Sequence, residues 1–220
     1  MHYREAVWLL HQLSKYSTEQ LSPLLNLGSS TRHFRSSVQP WIDEIIFRPL
    51  EYRNVKVVHC DIKDGDGVDV AADILDETGL ARLQQLQPCA VICSNLMEHV
   101  LDPAELALRC LSIVPPGGLL FVTVPHSYPY HRDPIDTLYR PSPQELGLLF
   151  APHHVVAAEL VAAGSYRDIL KKQPWKIMRH VLSFPFPFLN YGKWKRSMKK
   201  LYWLFHDYQI SCVVIRKKTV

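Results

Sequence analysis

The chain alternates short apolar runs with longer stretches of amphipathic spacing. Apolar side chains at Ala6, Leu9, Leu10, Leu13 and Tyr16 recur at helical intervals, so residues 3–21 are expected as a helix lying across a sheet edge and ending at Ser22-Pro23. Leu24 to Leu27 reads as a short buried strand running straight into Gly28-Ser29-Ser30-Thr31. Further strands are expected at 55–61, 68–73, 89–95, 119–124, 154–160 and 208–216, and helices at 77–86, 101–114 and 143–150. Asp102-Pro103 offers a cap and a first-turn proline to the second of these helices, and Pro115-Pro116-Gly117-Gly118 stops it. Pro125 is expected to close the strand that begins at Leu119. The continuous apolar run from Cys89 suits a strand buried on both faces of a parallel sheet.

Seven strands alternating with helices predict an α/β fold with a doubly wound, mostly parallel sheet. The expected plan is one domain: an N-terminal helix (1–21), a core (22–168), a basic and aromatic insertion (169–206) and a final strand (207–220). With 47% hydrophobic and 21% charged residues, the composition supports a packed core and excludes the disordered class. The five cysteines (60, 89, 93, 110 and 212) lack CxxC spacing and read as reduced, buried thiols. The first residues lack a signal-peptide layout, and no apolar run reaches the ~18–20 residues of a membrane span, so a cytoplasmic location is expected.

In such sheets ligands bind beyond the carboxyl ends of the strands. The residues at those exits are Gly28, Asp61, Asp73, Asn95 and the stretch after Pro125. An adenosyl nucleoside needs a carboxylate for its ribose diol, polar backbone with room for a second acid at its adenine edge, and a close-approaching turn for its charged tail. Gly28 with Ser29 and Ser30 offers the turn, Asp61 with Ile62 the ribose end, and Asp73 with Ile74 the adenine edge. Asn95 and Leu96 stand at the fourth exit, where the reactive end of the ligand is expected. Taken singly, each residue also reads as an ordinary turn or helix cap; their order along the chain carries the signal. Gly28-Ser29-Ser30-Thr31-Arg32-His33 does not fit the GxGxxG fingerprint of dinucleotide-binding dehydrogenases.

The stretch from Ile92 to Pro103, which contains Asn95-Leu96-Met97-Glu98-His99-Val100-Leu101-Asp102-Pro103, resembles the class I S-adenosylmethionine-dependent methyltransferases, as does Pro115-Pro116-Gly117-Gly118 with the strand after it. It is most similar to a small bacterial branch with an LEHV-DP and PGG core. The resemblance covers about residues 22–150. It implies a Rossmann-like sheet with an antiparallel last strand, S-adenosyl-L-methionine as cofactor, and methyl transfer to an oxygen or nitrogen of a small, lipid-linked or glycan acceptor. It also sets His99 on the pocket floor; the other reading of Glu98-His99 is that the pair caps the helix near Asp102. The first motif departs from the family. Asn26 stands where an acid is usual, and Leu27-Gly28-Ser29-Ser30 keeps one glycine of the loop. Serine does not tolerate positive φ as glycine does. This departure leaves open a second function class, a non-catalytic nucleoside- or protein-binding module.

Residues 126–141 form the densest polar and aromatic run and follow the exit nearest the expected transfer point. A base of pKa near neutrality assists methyl transfer to a hydroxyl, which makes His131 the first candidate and His126 the second, with Asp133 or Asp136 orienting it. The other reading is a rigid lid in which Asp136 and Arg140 pair. His131-Arg132-Asp133 is not a kinase loop, because Leu138 stands where a metal-binding Asn is required. No metal is expected, since His126, His131 and Asp133 match no standard ligand spacing.

The net charge of +4 matters through its placement: Lys171 to His206 contains no acid. Its lysines and arginines interleave with Trp175, Tyr191, Trp194, Tyr202 and Trp203 around the segment Phe184-Pro185-Phe186-Pro187-Phe188-Leu189, whose prolines forbid a regular helix. Peripheral contact with an anionic membrane is expected ahead of nucleic acid, against the alternative of a solvated basic face.

Overall fold

A computed structural model describes residues 1–131, 135–183, 188 and 191–219. Seven strands form one sheet in the order β3-β2-β1-β4-β5-β7-β6. They are β1 (Leu24–Leu27), β2 (Val57–Asp61), β3 (Val70–Ala71), β4 (Ala90–Ser94), β5 (Leu119–Ser127), β6 (His154–Ser165) and β7 (Asp207–Arg216). The β1–β2, β1–β4, β2–β3 and β4–β5 pairs are parallel, whereas β7 runs antiparallel to both β5 and β6. This is the doubly wound architecture expected from the alternation of elements.

Helices cover both faces. On one, α1 (Tyr3–Leu13), α2 (Thr18–Leu21), two π-helical turns (Phe34–Val38 and Asp43–Phe47) and α3 (Arg48–Tyr52) bury Leu9, Leu13, Ile46 and Phe47 against Ile92, Phe121 and Val214. On the other, α4 (Glu77–Gln85), α5 (Pro103–Ile113) and α6 (Pro143–Leu148) pack Leu83, Leu106 and Leu146 onto Val91, Leu120 and Val213. Two helices, α7 (Tyr166–Lys172) and α8 (Trp175–Ser183), follow β6, and α9 (Tyr191–Tyr202) precedes β7.

Several boundaries differ from the sequence expectation. The first helix ends at Leu13 and covers a sheet face, because Glu5, Ala6, Trp8, Leu9, Gln12 and Leu13 all turn inward. The third strand shrinks to two residues, since only Cys60 and Asp61 offer it a ladder. Pro125 does not end β5. The strand continues to Ser127 through an irregularity between Pro125 and Ser127, where β7 tolerates the missing donor. The helix at 103–113 is capped as expected, with Asp102 Oδ1 accepting from the amides of Ala104 and Glu105 at 3.0 Å. All five cysteines are free.

Candidate functional site

The carboxyl ends of β1, β2, β4 and β5 meet in one region. Gly28 leaves β1 at φ +66°, and a Cβ placed there would lie 3.3 Å from Leu96 Cδ1, so the turn passes close under the β4 exit. Ser30 takes the left-handed conformation (φ +53°) that sequence reasoning reserved for glycine. Two contacts hold it there: its amide donates to Asp61 Oδ2 at 2.8 Å, and its carbonyl accepts from Arg35 Nη1 at 2.5 Å. Arg35 is 5% exposed and also donates to Ser29 O (2.9 Å) and Gly67 O (2.7 Å), so one guanidinium ties the β1 loop to the loop after β2. A buried arginine therefore replaces the missing glycines as the determinant of loop shape; its Arg-x-x-Arg setting in Arg32-His33-Phe34-Arg35 gave no sequence cue.

Asp61 stands at the end of β2, accepting from Ser30 N and, through Oδ1, from Lys63 N (3.1 Å). A carboxylate has about four acceptor sites, so two remain for a diol. The next side chain, Ile62, is 66% exposed, an apolar surface left uncovered beside that acid. Asp73 turns back on itself, its Oδ1 accepting from Leu75 N, and Ile74 is buried in the core. Ser29 is buried, with its amide donating to Cys60 O at 2.9 Å. Asp61 and the exposed Ile62 thus suit the ribose end of an adenosyl ligand, whereas Ile74 and Ser29 are buried. At the tail, the Ser29 and Ser30 carbonyls are already bonded to Arg35.

Asn95 leaves β4 at φ +50°, its amide bonded to Thr123 O and its Nδ2 donating to Glu5 Oε1 at 2.7 Å. Thr123 Oγ1 donates to the same oxygen at 2.6 Å. Glu5 is fully buried and pins the exits of β4 and β5 from the N-terminal helix. Sequence reasoning missed it, although an acid at position 5 shares its helical face with Trp8, Leu9 and Gln12.

Beyond Asn95, the turn at Met97–His99 docks on the loop after β5. Thr137 N and Oγ1 both donate to Glu98 O (2.9 and 3.0 Å), and His99 Nδ1 lies 2.5 Å from Ile135 O. His99 thereby faces the loop after β5, with its ring 5.2 Å from that of His131 in an edge-to-face contact. The structure brings His131 and Asp136 together: Asp136 Oδ2 accepts from His131 N (3.0 Å) and lies 3.3 Å from His131 Nδ1. Arg140 Nη2 donates to the same carboxylate at 2.7 Å. Burial opposes ionisation of Asp136, but the guanidinium and the amides of His131 and Leu138 outweigh it and hold the carboxyl at about 2. Burial pulls His131 below the ordinary imidazole value against the pull of Asp136, so the ring is neutral near pH 7. Glu98 is fully buried, and burial pushes it up to about 8, with Glu5 adding to the rise.

Asp133 lies outside the described residues. His126 points elsewhere, its Nδ1 donating to Pro141 O at 2.9 Å, and it is not among the groups gathered around Glu98. Tyr128 stands edge-on to both His131 and His2 (5.3 Å each), and Tyr208 lies 5.1 Å from Tyr128, forming an aromatic wall beside the imidazoles. Leu138, at φ +60°, adds a further non-glycine residue in the left-handed region, where strain gathers at functional sites.

No protein-family model matches the chain, and no curated protein does. Solved structures match it along nearly its whole length. A SAM-dependent methyltransferase from Archaeoglobus fulgidus shares 13% identity over 96% of this chain and 94% of its own, with a TM-score of 0.51. The N-methyltransferase NodS from Bradyrhizobium japonicum, solved with S-adenosyl-L-homocysteine, shares 11% over 98% and 87%, at 0.52. The [4+2]-cyclase SpnF shares 15% over 97% and 81%, at 0.53. At these identities the likeness is one of fold, and the fold is the Rossmann-like sheet of class I methyltransferases.

Proposed function

We propose that the chain transfers a methyl group from S-adenosyl-L-methionine to an oxygen or nitrogen of a small acceptor. The observation that carries this reading is the placement of two half-sites along the same carboxyl edge of the sheet, one at the exits of β1 and β2 and the other after β5. Asp61, Ile62 and Gly28 suit the adenosine of the donor, and the pair His131–Asp136, walled by Tyr128, stands beyond β5 on the acceptor side. The donor supplies a methyl carried on a sulfonium. The chain's own part is to hold the acceptor in line and to receive its proton, which a neutral His131 kept by Asp136 is placed to do. The aromatic wall favours an acceptor with a flat or apolar body. Calorimetry with S-adenosylmethionine and S-adenosylhomocysteine tests the reading: Asp61→Ala should abolish a binding isotherm that the parent shows, and absence of parental binding at millimolar ligand sinks it.

One observation favours the second class, a binding module without turnover. The Ser29 and Ser30 amides are committed to Cys60 O and Asp61 Oδ2, so neither N–H of the turn is left to hold a ligand's carboxylate. Binding of S-adenosylhomocysteine at least as tight as that of the donor, with no methylated product from any acceptor, is the outcome that selects this reading.

The acceptor's setting is also proposed. Trp175, Met178, Val181 and Leu182 of α8 are exposed at helical spacing, and Phe188 and Phe205 are 75% and 80% exposed within the acid-free basic block. Such a face suits the headgroup level of an anionic membrane, and with it a lipid-linked acceptor, ahead of nucleic acid. Residues 184–187 and 189 of the proline-broken segment lie outside the described residues; among those described, no helix is long and apolar enough to cross a membrane. Co-sedimentation with phosphatidylglycerol vesicles should fall in a Trp175→Asp/Leu182→Asp variant, and no sedimentation of the parent chain overturns the idea.

A further inference from the structure

Glu98, His99 and His131 each direct one ligand-capable atom to a common point, all within 4.8 Å of one another. Atoms that share a first-row cation at about 2.0–2.2 Å sit roughly 3–4 Å apart, so small side-chain rotations close the set. The Glu98 carboxylate is fully buried, and neither of its oxygens has a hydrogen-bond partner among the described residues. A buried carboxylate in that condition either keeps its proton or meets a cation.

The neighbouring charges point to the cation. Glu5, Glu98 and Asp136 are three buried carboxylates, and Arg140 is the guanidinium among them, already engaged by Asp136. The histidines are set as ligands rather than as counter-charges. Ile135 O takes the His99 Nδ1 proton, which leaves the Nε2 lone pair directed at Glu98 Oε1, 3.7 Å away. A lone pair and a carboxyl oxygen facing each other at that distance are reconciled by a proton or by a cation between them. Asp136 Oδ2 holds His131 through the bond it accepts from His131 N and lies 3.3 Å from Nδ1 without a hydrogen bond to it. An outer carbonyl or carboxylate on the far nitrogen is what orients metal-bound imidazoles.

We infer that Glu98, His99 and His131 form a binding site for one divalent transition-metal cation of borderline softness, such as Zn²⁺ or Co²⁺. One carboxylate and two imidazoles match the ligand types of open, three-residue sites, which keep positions for an exogenous ligand. In the methyl-transfer reading, an acceptor oxygen or nitrogen would take such a position, and the cation would lower its pKa so that its proton passes to water instead of to a free His131. The site itself does not depend on that reading.

The test uses the full chain, stripped with a chelator and dialysed, titrated with CoCl₂ and separately with ZnCl₂ in the absence of any methyl donor. One equivalent of Co²⁺ with visible d–d absorption is expected. Affinity should fall by more than about tenfold in each of Glu98→Gln, His99→Ala and His131→Gln, and stay unchanged in the surface variants His11→Ala and His154→Ala. The three site variants are checked for parental far-UV circular dichroism; His131→Gln, altering a partly exposed loop residue, serves if Glu98→Gln fails to fold. No stoichiometric uptake, or uptake indifferent to the site substitutions, overturns the inference. Donor calorimetry is run separately, so loss of metal binding and loss of donor binding are told apart.

Discussion

Glu5 and Asn95, ninety positions apart in the chain, are joined by a 2.7 Å hydrogen bond from Asn95 Nδ2 to a fully buried carboxylate. Thr123 shares the same oxygen, and Glu5 Oε2 accepts from His2 N, so one side chain closes the helix start and both central strand exits. The N-terminal helix is therefore part of the candidate site. Glu5→Ala leaves Asn95 and Thr123 without their acceptor and should cost about 2–4 kcal/mol, read from urea unfolding. A loss below about 0.5 kcal/mol would show the carboxylate to be dispensable.

What was legible in the sequence divides along sequence distance. The alternation of apolar runs, the Asp102 cap and the PGG stop are local patterns, and they carried the sheet and its strand exits, including Asp61 and Asn95. The pairing of His131 with Asp136 spans five residues and was also within reach. Glu5 with Thr123 spans 118 residues, and Arg35 with Gly67 spans 32; no local pattern encodes such contacts. The Glu98–His99–His131 grouping was hidden for the same reason, since the strand β5 and its loop separate the histidines. Spacing along the chain gave no metal set, and the second candidate base it offered, His126, is turned by the fold toward Pro141.

Gly79 sits in the first turn of α4 directly under the Asp73 carbonyl, and a Cβ there would fall 1.9 Å from that oxygen. No rotamer relieves a backbone clash. Gly79→Ala must push the Asp73-Ile74 segment off the helix, with an expected loss of about 3 kcal/mol. Because that segment forms the proposed adenine edge, donor affinity measured by calorimetry should weaken as well. Parental stability and parental affinity together would refute this account of the edge.

His59 carries the clearest pH signal remote from the imidazole pair. Burial, aided by the nearby Arg35, lowers its pKa to about 4, and neutral Nδ1 lies 3.0 Å from Asn26 Nδ2. In the unfolded chain the ring titrates near the ordinary 6.5. Between those values the unfolded state binds more protons, so stability is complete above pH 6.5 and declines as pH falls toward 4. The full effect is about 3 kcal/mol. Urea midpoints from pH 7.5 to 4.5 should fall less steeply in His59→Gln than in the parent chain; parallel profiles would contradict the assignment.

The imidazole–carboxylate pair makes the sharpest demand on function. His131 stands against the Tyr128 wall, with Asp136 fixed by Arg140 behind it, whereas the donor half-site is built from Asp61 and Gly28 on other strands. Substitution should therefore separate turnover from donor binding. With an acceptor found by S-adenosylhomocysteine release across phenols, amines and sugar alcohols, His131→Ala should lower kcat by about 10²–10⁴-fold. Asp136→Asn should act in the same direction but less, since it keeps the ring while weakening its hold. In both variants the dissociation constant of S-adenosylmethionine should stay within about twofold of the parent, because neither group touches the nucleoside half. A variant pair that loses donor binding in step with turnover would move His131 from acceptor chemistry to the cofactor pocket.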